Sequence, residues 1–283
     1  MPDISCVFSP VKLPQTAVAG ANLRAGHLLA MPPDLIIHVV PLLRPLRWLS
    51  RGWQDYFHSF AGLVHGLAIA LAGMLIVLIG RQFPVLLPGA LSGFVLVAPL
   101  LATGLYEFSR RLGLGERPGL AEALSAWRRE GKPLMQLGLL LFVLGSLWVG
   151  VSVALFSLWL PTDLNDAQAL LRAAIGPEHQ TLFLAWVLLG GTGAAVVFGL
   201  TAVSMPMLLD REVGLADAML TSVKAVGDNP AAMAFWAGLI MLGCLIGMAS
   251  GMIGLILILP VLGHASWHAY RDLVDASALP TRV

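Results

Sequence analysis

Charged residues are scarce in this chain of 283 residues, and that scarcity argues against a soluble fold. Asp, Glu, Lys and Arg make up 12% of the sequence and 58% is hydrophobic, whereas soluble domains carry roughly 25% charged residues. The formal net charge of +1 gives no field that would attract nucleic acid. The composition therefore predicts an integral membrane protein in contact with the lipid bilayer, with no nucleic-acid partner.

Cysteine is almost absent as well. The two cysteines, Cys6 and Cys244, form no CxxC pair, and they cannot build a disulfide framework. The N-terminus lacks a basic segment followed by a short apolar run, so no cleaved signal peptide is expected. The first hydrophobic span is expected to direct membrane insertion itself.

Catalytic and cofactor motifs are also missing. The sequence contains no Walker loop, HExxH motif, nucleophile elbow or dinucleotide fingerprint. The apolar runs have no Asp, Glu, Lys or Arg away from their ends, and such intramembrane groups mark many ion-coupled transporters. The sequence thus predicts a non-enzymatic protein without a cofactor and argues against a coupled pump.

Long apolar runs are what the sequence does contain. Because about 20 apolar residues cross a bilayer as a helix, we predict an all-α polytopic membrane protein with six spans arranged as three hairpins. The predicted spans are 61–79, 85–106, 134–160, 181–209, 231–249 and 252–269. A single helix over the uncharged run 231–270 would be about 60 Å long, about twice the hydrocarbon thickness. A turn rich in small residues is therefore predicted near Ala249–Met252.

The distribution of basic residues predicts the orientation. Fifteen of the 17 Lys and Arg residues lie in the two terminal segments and in the connections after the second and fourth spans, whereas the other side has Arg81 and Arg172. By the positive-inside rule both termini are cytoplasmic. We expect a mobile cytoplasmic tail over 1–45, whose apolar piece 35–43 lies on the surface or packs, a membrane domain over 46–272 and a cytoplasmic tail over 273–283.

An amphipathic segment precedes each hairpin. In 46–60, Trp48 and Trp53 belong to an aromatic series at mostly three- and four-residue spacing, with Arg47 and Arg51 between, which predicts an interfacial helix. The other two segments begin with the similar sequences Gly-Leu-Ala-Glu-Ala-Leu, from Gly119, and Gly-Leu-Ala-Asp-Ala-Met, from Gly214. The pattern indicates three repeated units, each an amphipathic helix followed by a hairpin.

The second span of each hairpin carries a proline, namely Pro99, Pro206 or Pro260. Proline removes one backbone hydrogen bond and kinks a helix. Three kinks at matching places predict a pseudo-threefold bundle whose kinked helices meet at its centre. The alternative is that prolines are simply common in membrane helices.

Glycines at four-residue steps, Gly243, Gly247 and Gly251, form a small-xxx-small series, and Gly190–Gly193 is a second glycine-rich stretch. Such residues let helices approach closely in a membrane, where the hydrophobic effect gives no drive between helices. Packing within the chain is the favoured interpretation. A homo-oligomer or another membrane protein as partner is the alternative.

The candidate functional motif lies near the end of the last span: His264, Trp267, His268, Tyr270 and Arg271. His264 and His268 share one helix face, which suits a metal or haem, and His65 would join them if the first and sixth spans pack together. The alternative is an interfacial cluster that hydrogen-bonds headgroups or loop carbonyls. No metal is assigned.

Three stretches carry a family resemblance: Val97–Leu112, the Asp-Arg pair after Met205–Met207, and Leu259–Leu273. With these motifs the chain resembles, over roughly 45–275, a bacterial integral membrane protein family classified as domain of unknown function 2189. Some members are labelled cytochrome c oxidase components. The resemblance implies a multi-pass protein of the bacterial inner membrane near respiratory oxidases, and it supplies no catalytic residues.

Three functions are compatible with these observations. The leading hypothesis is a non-enzymatic accessory or assembly partner of a respiratory oxidase-like membrane complex. A channel or facilitator for a small or lipid-like solute is the first alternative, and it requires a polar cavity between the three prolines. A haem- or metal-binding membrane protein is the second.

Overall fold

The computed structural model describes residues 35–58, 60–119, 131–159, 172 and 176–282, which are mainly α-helical. The elements in chain order are β1 (Ile36–Ile37), α1 (Arg44–Tyr56), α2 (Phe60–Gly80), a 3-10 turn (Pro84–Leu86), α3 (Leu87–Leu96), α4 (Ala98–Leu101), α5 (Thr103–Gly113), α6 (Lys132–Trp159), a 3-10 turn (Pro177–His179), α7 (Gln180–Thr201), α8 (Ser204–Asp210), α9 (Leu215–Asp228), α10 (Pro230–Ala249), α11 (Leu255–Leu273) and β2 (Val274–Asp275).

Four stretches of the described chain are long and apolar enough to cross a membrane. These are α2, α6, the segment Pro177–Asp210 and α10. Large apolar side chains such as Leu71, Leu139 and Leu188 are exposed along them, as expected of helices whose solvent is lipid. The chain therefore has the architecture of an integral membrane protein with several spanning helices.

The predicted second and sixth spans are not among these four stretches. The second is divided at Val97 and Ala102 into α3, α4 and α5. Pro99 lacks the N–H that would continue the ladder, so no helix of spanning length forms. The sixth, α11, is 19 residues long. Its C-terminal half carries His264, His268 and Arg271, so the helix as a whole is too polar to be recognised as a spanning helix.

Helix α11 lies at the centre of the packing and contacts α1, α2, α5 and α10. Two glycines bring neighbouring helices onto its backbone. A Cβ added to Gly52 of α1 would lie 2.5 Å from the Val261 carbonyl oxygen, and one added to Gly66 of α2 would overlap the Ile256 carbonyl. Pro260 has no N–H for Ile256, four residues earlier, so this carbonyl is the one that the kink leaves without its helical donor.

The three helices that lead out of the second, fourth and sixth predicted spans also meet. α5, α8 and α11 pack against one another around apolar side chains that are almost completely buried, among them Leu105, Met205, Met207 and Leu208. Pro99 stands at the start of α4, Pro206 lies in α8 just after a break in the helix, and Pro260 is inside the continuous α11. The prolines thus interrupt two helices and leave the third unbroken.

A tight turn joins α10 to α11. Gly251 and Met252 have positive φ angles of 68° and 72°, a conformation that favours glycine. The Ser250 hydroxyl accepts a hydrogen bond from the Gly254 N–H at 2.7 Å and donates to the Gly247 carbonyl at 2.7 Å. The chain therefore reverses close to the position predicted from the length of the apolar run.

The two ends of the described chain pair with each other. β1 is antiparallel to β2, so the apolar piece 35–43 packs against the chain, which is one of the two arrangements expected for it. The buried Asn229 accepts a hydrogen bond from the Val40 N–H at 2.7 Å and donates to the His38 carbonyl at 3.0 Å. Thr281 forms a β-bridge with Arg211.

The first amphipathic segment is helical, but its most important contacts are with protein. α1 buries Trp48 and Gly52 against the bundle, so Trp48 is not the interfacial aromatic that the sequence predicts, although Trp53 and Phe57 are exposed. The third segment forms α9. The second, from Gly119 to Trp127, lies outside the described residues apart from Gly119.

Candidate functional site

The candidate motif on α11 is mostly enclosed by the protein. His264 is fully buried, Trp267 and Tyr270 are buried, and only Arg271 has a half-exposed side chain. α1, α2, α5 and α10 pack on α11 and cover most of the motif, whereas Arg271 lies in the last turn of the helix. The motif is therefore not a row of side chains directed at headgroups.

A carboxylate on α1, Asp55, joins the two histidines. Its Oδ2 accepts a hydrogen bond from the Ser109 hydroxyl at 2.6 Å and lies 2.9 Å from His268 Nε2. Ser109 Oγ in turn lies 2.8 Å from His264 Nδ1. Three elements, α1, α5 and α11, are thereby connected by one chain of polar groups, which we call the Asp55 network (Asp55, Ser109, His264 and His268).

The proton positions in this network follow from the hydrogen-bond inventory. A serine hydroxyl has one hydrogen, and Ser109 uses it on Asp55, so His264 Nδ1 must be the donor to Ser109. His268 Nε2 likewise donates to the carboxylate. Burial would raise the pKa of Asp55, but the hydrogen bonds from His268 and Ser109 outweigh it and lower the pKa below its ordinary value.

One atom of the network has no partner. His264 Nε2 is buried and makes no hydrogen bond within the described part of the chain. Gly62 faces it, since a Cβ added there would lie 3.7 Å from Nε2 and 2.8 Å from the Tyr56 ring. The Phe108 ring packs edge-on with centroids 5.6 Å apart. A buried acceptor lone pair is thus enclosed by a glycine and two aromatic rings.

The condition for His65 to join the other histidines is met, since α2 contacts α11, and His65 is close enough to act electrostatically on His264. Within the described ranges, however, no three His, Cys, Asp or Glu side chains are arranged so that they could hold a metal ion. His268 contacts the Asp55 carboxylate directly and His264 contacts it through Ser109, so the two rings do not face a common metal position. The histidines are therefore treated as hydrogen-bonding groups.

A second polar cluster surrounds Asp210 at the end of α8. Its Oδ2 accepts hydrogen bonds from the Tyr270 hydroxyl at 2.9 Å and from Arg211 Nε at 3.0 Å, and Arg271 lies 3.6 Å away. Burial, with the Asp210 charge nearby, raises the pKa of Tyr270. Arg211 also donates to the Leu279 carbonyl at 2.8 Å. The cluster fixes the C-terminal segment to the end of the fourth predicted span.

A third cluster holds α1 to the end of α11. Asp272 accepts two hydrogen bonds from Arg44, one of them at 2.9 Å, and one from Trp48 Nε1 at 2.8 Å. Burial would raise the pKa of Asp272, but the Arg44 and Trp48 hydrogen bonds lower it overall. On α5, Glu107 pairs with Arg110 and Arg111 at 2.7 and 2.6 Å. Helices α5, α8 and α11 thus each carry a carboxylate that is paired with an arginine.

The glycines predicted to mediate packing act within the chain. A Cβ on Gly243 would lie 2.9 Å from Ile258 Cγ2, and one on Gly247 would overlap the Leu255 side chain. Gly251 forms the turn described above. These three glycines are therefore used in the α10–α11 hairpin.

Sequence reasoning missed Asp55 and Ser109. The sequence patterns described above single out neither of these two residues. The available signal was weak: both lie on the faces of α1 and α5 that carry the buried Trp48, Gly52 and Leu105. Their convergence depends on contacts between residues 155 and 213 positions apart.

Comparison with known proteins supports the resemblance given above. Residues 86–210 match the family described as "Predicted integral membrane protein (DUF2189)". The match includes Val97–Leu112 and Met205–Asp210 but not the C-terminal motif. No curated protein and no solved structure matches the chain. Over residues 86–210 the chain is thus similar to the DUF2189 family of predicted integral membrane proteins, the family that its motifs resemble.

Proposed function

We propose that this protein is a non-enzymatic accessory or assembly partner of a respiratory oxidase-like membrane complex, and that it binds its partner through the uncovered face of α7. The single observation that carries the proposal is the exposure of this helix. Only 11% of the most apolar stretch of Pro177–Asp210 is buried, against 28% for α2 and for α10 and 22% for α6.

The uncovered face has the composition of a helix-packing surface. Gly191, Ala195 and Gly199 follow one another at four-residue steps, and a Cβ added to either glycine would meet no atom of the described residues within 4 Å. Leu184 and Leu188 continue the same face and are exposed. Small residues let two backbones approach closely in lipid, so the occupant that this face suits is a spanning helix of another membrane protein.

The absence of enzymatic activity is part of the proposal. Ser109, His264 and Asp55 are the residue types of a nucleophilic site, but their order differs. A nucleophilic serine stands at the end of such a chain, beside the substrate, and the histidine lies between serine and carboxylate. Here Ser109 lies between His264 and Asp55, an order that suits structure or proton movement.

The topology proposed for the complex has six crossings with both termini in the cytoplasm of a bacterium. α3–α5 and α11 would complete the second and sixth crossings in company with the helices that cover them. The β1–β2 pair and the Arg44–Asp272 ion pair support this arrangement, because both described ends of the chain lie at the same end of the bundle. The basic residues at this end favour the cytoplasmic side.

The channel alternative finds less support among the described residues. The side chains where α5, α8 and α11 meet are apolar and buried, including Leu105, Met205 and Leu208. An apolar groove of about 250 Å³ lies elsewhere, between α1, α10 and α11, where Trp53, Leu242 and Ile258 are among its lining residues. We therefore do not propose a polar path between the prolines.

Affinity purification from native membranes in mild detergent tests the proposal. Wild-type protein should recover oxidase subunits, Gly191→Leu should lose them, and Gly150→Leu should keep them. Gly150 is the matched control because it is an exposed glycine of a different span, α6, and no atom of the described ranges lies within 4 Å of an added Cβ. Recovery of the wild-type chain alone overturns the accessory role. Retention of the same subunits by Gly191→Leu overturns the α7 face.

A further inference from the structure

We propose that the Asp55 network is a proton relay, in which His264 Nε2 accepts a proton and Asp55 releases one to solvent. The inference is independent of the partner proposed above. It rests on a buried, unpartnered acceptor atom at one end of a hydrogen-bonded chain and a partly exposed carboxylate at the other.

The relay has one consistent direction of donation. His264 Nδ1–H donates to Ser109, the Ser109 O–H donates to Asp55, and Asp55 is the acceptor at 2.6 Å. When a proton binds at His264 Nε2, the Nδ1 proton moves to Ser109 and the Ser109 proton moves to Asp55. One proton enters, one reaches the carboxylate, and no other bond is made or broken.

The far end of the relay reaches water. The His268 side chain is 19% exposed and its Nε2 lies 2.9 Å from Asp55 Oδ2. Asp55 itself is only partly covered, with 13% of its side chain exposed. A proton on Asp55 can therefore leave directly to solvent, while His268 Nε2–H stays in place as a donor to the carboxylate.

The groups that face His264 from each neighbouring helix favour proton transfer over a purely structural bond. α1 provides Asp55 and Tyr56, α2 provides His65, α5 provides Ser109, and α11 itself provides His268. The one anion in this set, Asp55, lies behind Ser109, where it stabilises positive charge on the relay.

The exchange rate of the His264 ring proton distinguishes a relay from a structural cluster. The full chain, labelled with ¹⁵N-histidine and held in detergent micelles, is transferred to D₂O and followed by NMR. The nitrogen shifts should show the proton on Nδ1 and a bare Nε2. Because the relay is the path to solvent, Ser109→Ala and Asp55→Asn should each slow Nδ1–H exchange about tenfold.

A merely structural role predicts the opposite sign, since breaking a packing contact opens the site and speeds exchange. Ser222→Ala is the matched control. Ser222 is a buried serine in another part of the bundle that accepts a hydrogen bond from the Val203 N–H at 3.1 Å, and its loss should leave the exchange of the His264 ring proton unchanged.

Exchange that is unchanged or faster in both network variants, or a proton found on Nε2, overturns the relay. Slowing in Ser109→Ala alone overturns the part assigned to Asp55. If Ser109→Ala does not fold, Asp55→Asn carries the same test.

Discussion

Helices α11 and α7 are both apolar and stand next to glycines, yet they use glycine for opposite purposes. Around α11, Gly52, Gly66 and Gly243 are spaces that a neighbouring backbone or side chain already fills. Along α7, an added Cβ on Gly191, Gly193 or Gly199 would have no neighbour within 4 Å in the part of the chain that the structure describes. Glycine content alone therefore does not distinguish an internal contact from an open surface. The difference depends on whether a neighbouring helix lies against the glycine.

The largest effect is expected when a glycine that packs against α11 and a glycine on α7 are each replaced by alanine. In Gly66→Ala the new Cβ would overlap the Ile256 carbonyl, and overpacking against backbone should cost about 3 kcal/mol. Gly193→Ala on α7 should leave stability unchanged or raise it by up to about 1 kcal/mol. Thermal unfolding of the two variants in detergent measures the difference. Equal midpoints would show that α2 does not pack on α11 as described.

The next effect concerns the polar end of α11. Asp272→Ala removes the acceptor of Arg44 and Trp48, and the loss of charge-assisted hydrogen bonds at a partly buried site should cost about 2 kcal/mol. Asp228→Ala is the control, because its pair with Lys224 is exposed and spans i,i+4. Such a pair contributes about 0.5 kcal/mol or less. Denaturant titration in micelles compares them, and similar losses would contradict the special position of Asp272.

A smaller effect is expected at the junction of the two chain ends. Asn229→Ala removes the hydrogen bonds to Val40 and His38, which should cost about 1 kcal/mol and open β1 locally. Hydrogen exchange followed by mass spectrometry should show faster exchange in peptides from 35–43, with α7 peptides unchanged. Unchanged exchange in 35–43 would mean that the strand pair holds this segment without Asn229.

The smallest effect is the response to acid. The folded-state pKa values of Asp55 and Asp272 are lowered, so the stability that they contribute is fully present above the ordinary Asp value of about 4. It is lost as the pH falls through the folded-state values. Hydrogen exchange at decreasing pH, corrected for intrinsic rates, should show α1 opening while α7, which has no acidic residue, keeps its protection. Simultaneous opening of both helices would remove the distinction.

The sequence predicted class and periodicity well, because both depend on local composition. The long uncharged runs gave the spanning helices, and the run 231–270 correctly required a turn near Gly251. The break at Val97 and the polar half of α11 were underestimated, since length and hydropathy were averaged over each predicted span. The candidate histidines were found from spacing, but Asp55 and Ser109 were not, because nothing local distinguishes them from surface polar residues.

The strand-like pairing and ion pair between the chain ends bear on how the protein is made. Arg44 is synthesised 228 positions before its partner Asp272, and Asp55 is synthesised 213 positions before its partner His268. During synthesis α1 therefore emerges before α11, the helix that covers Gly52, has been made. Until α11 is in place, Trp48 and Gly52 form a temporary apolar surface beside the membrane, available to an insertase or chaperone.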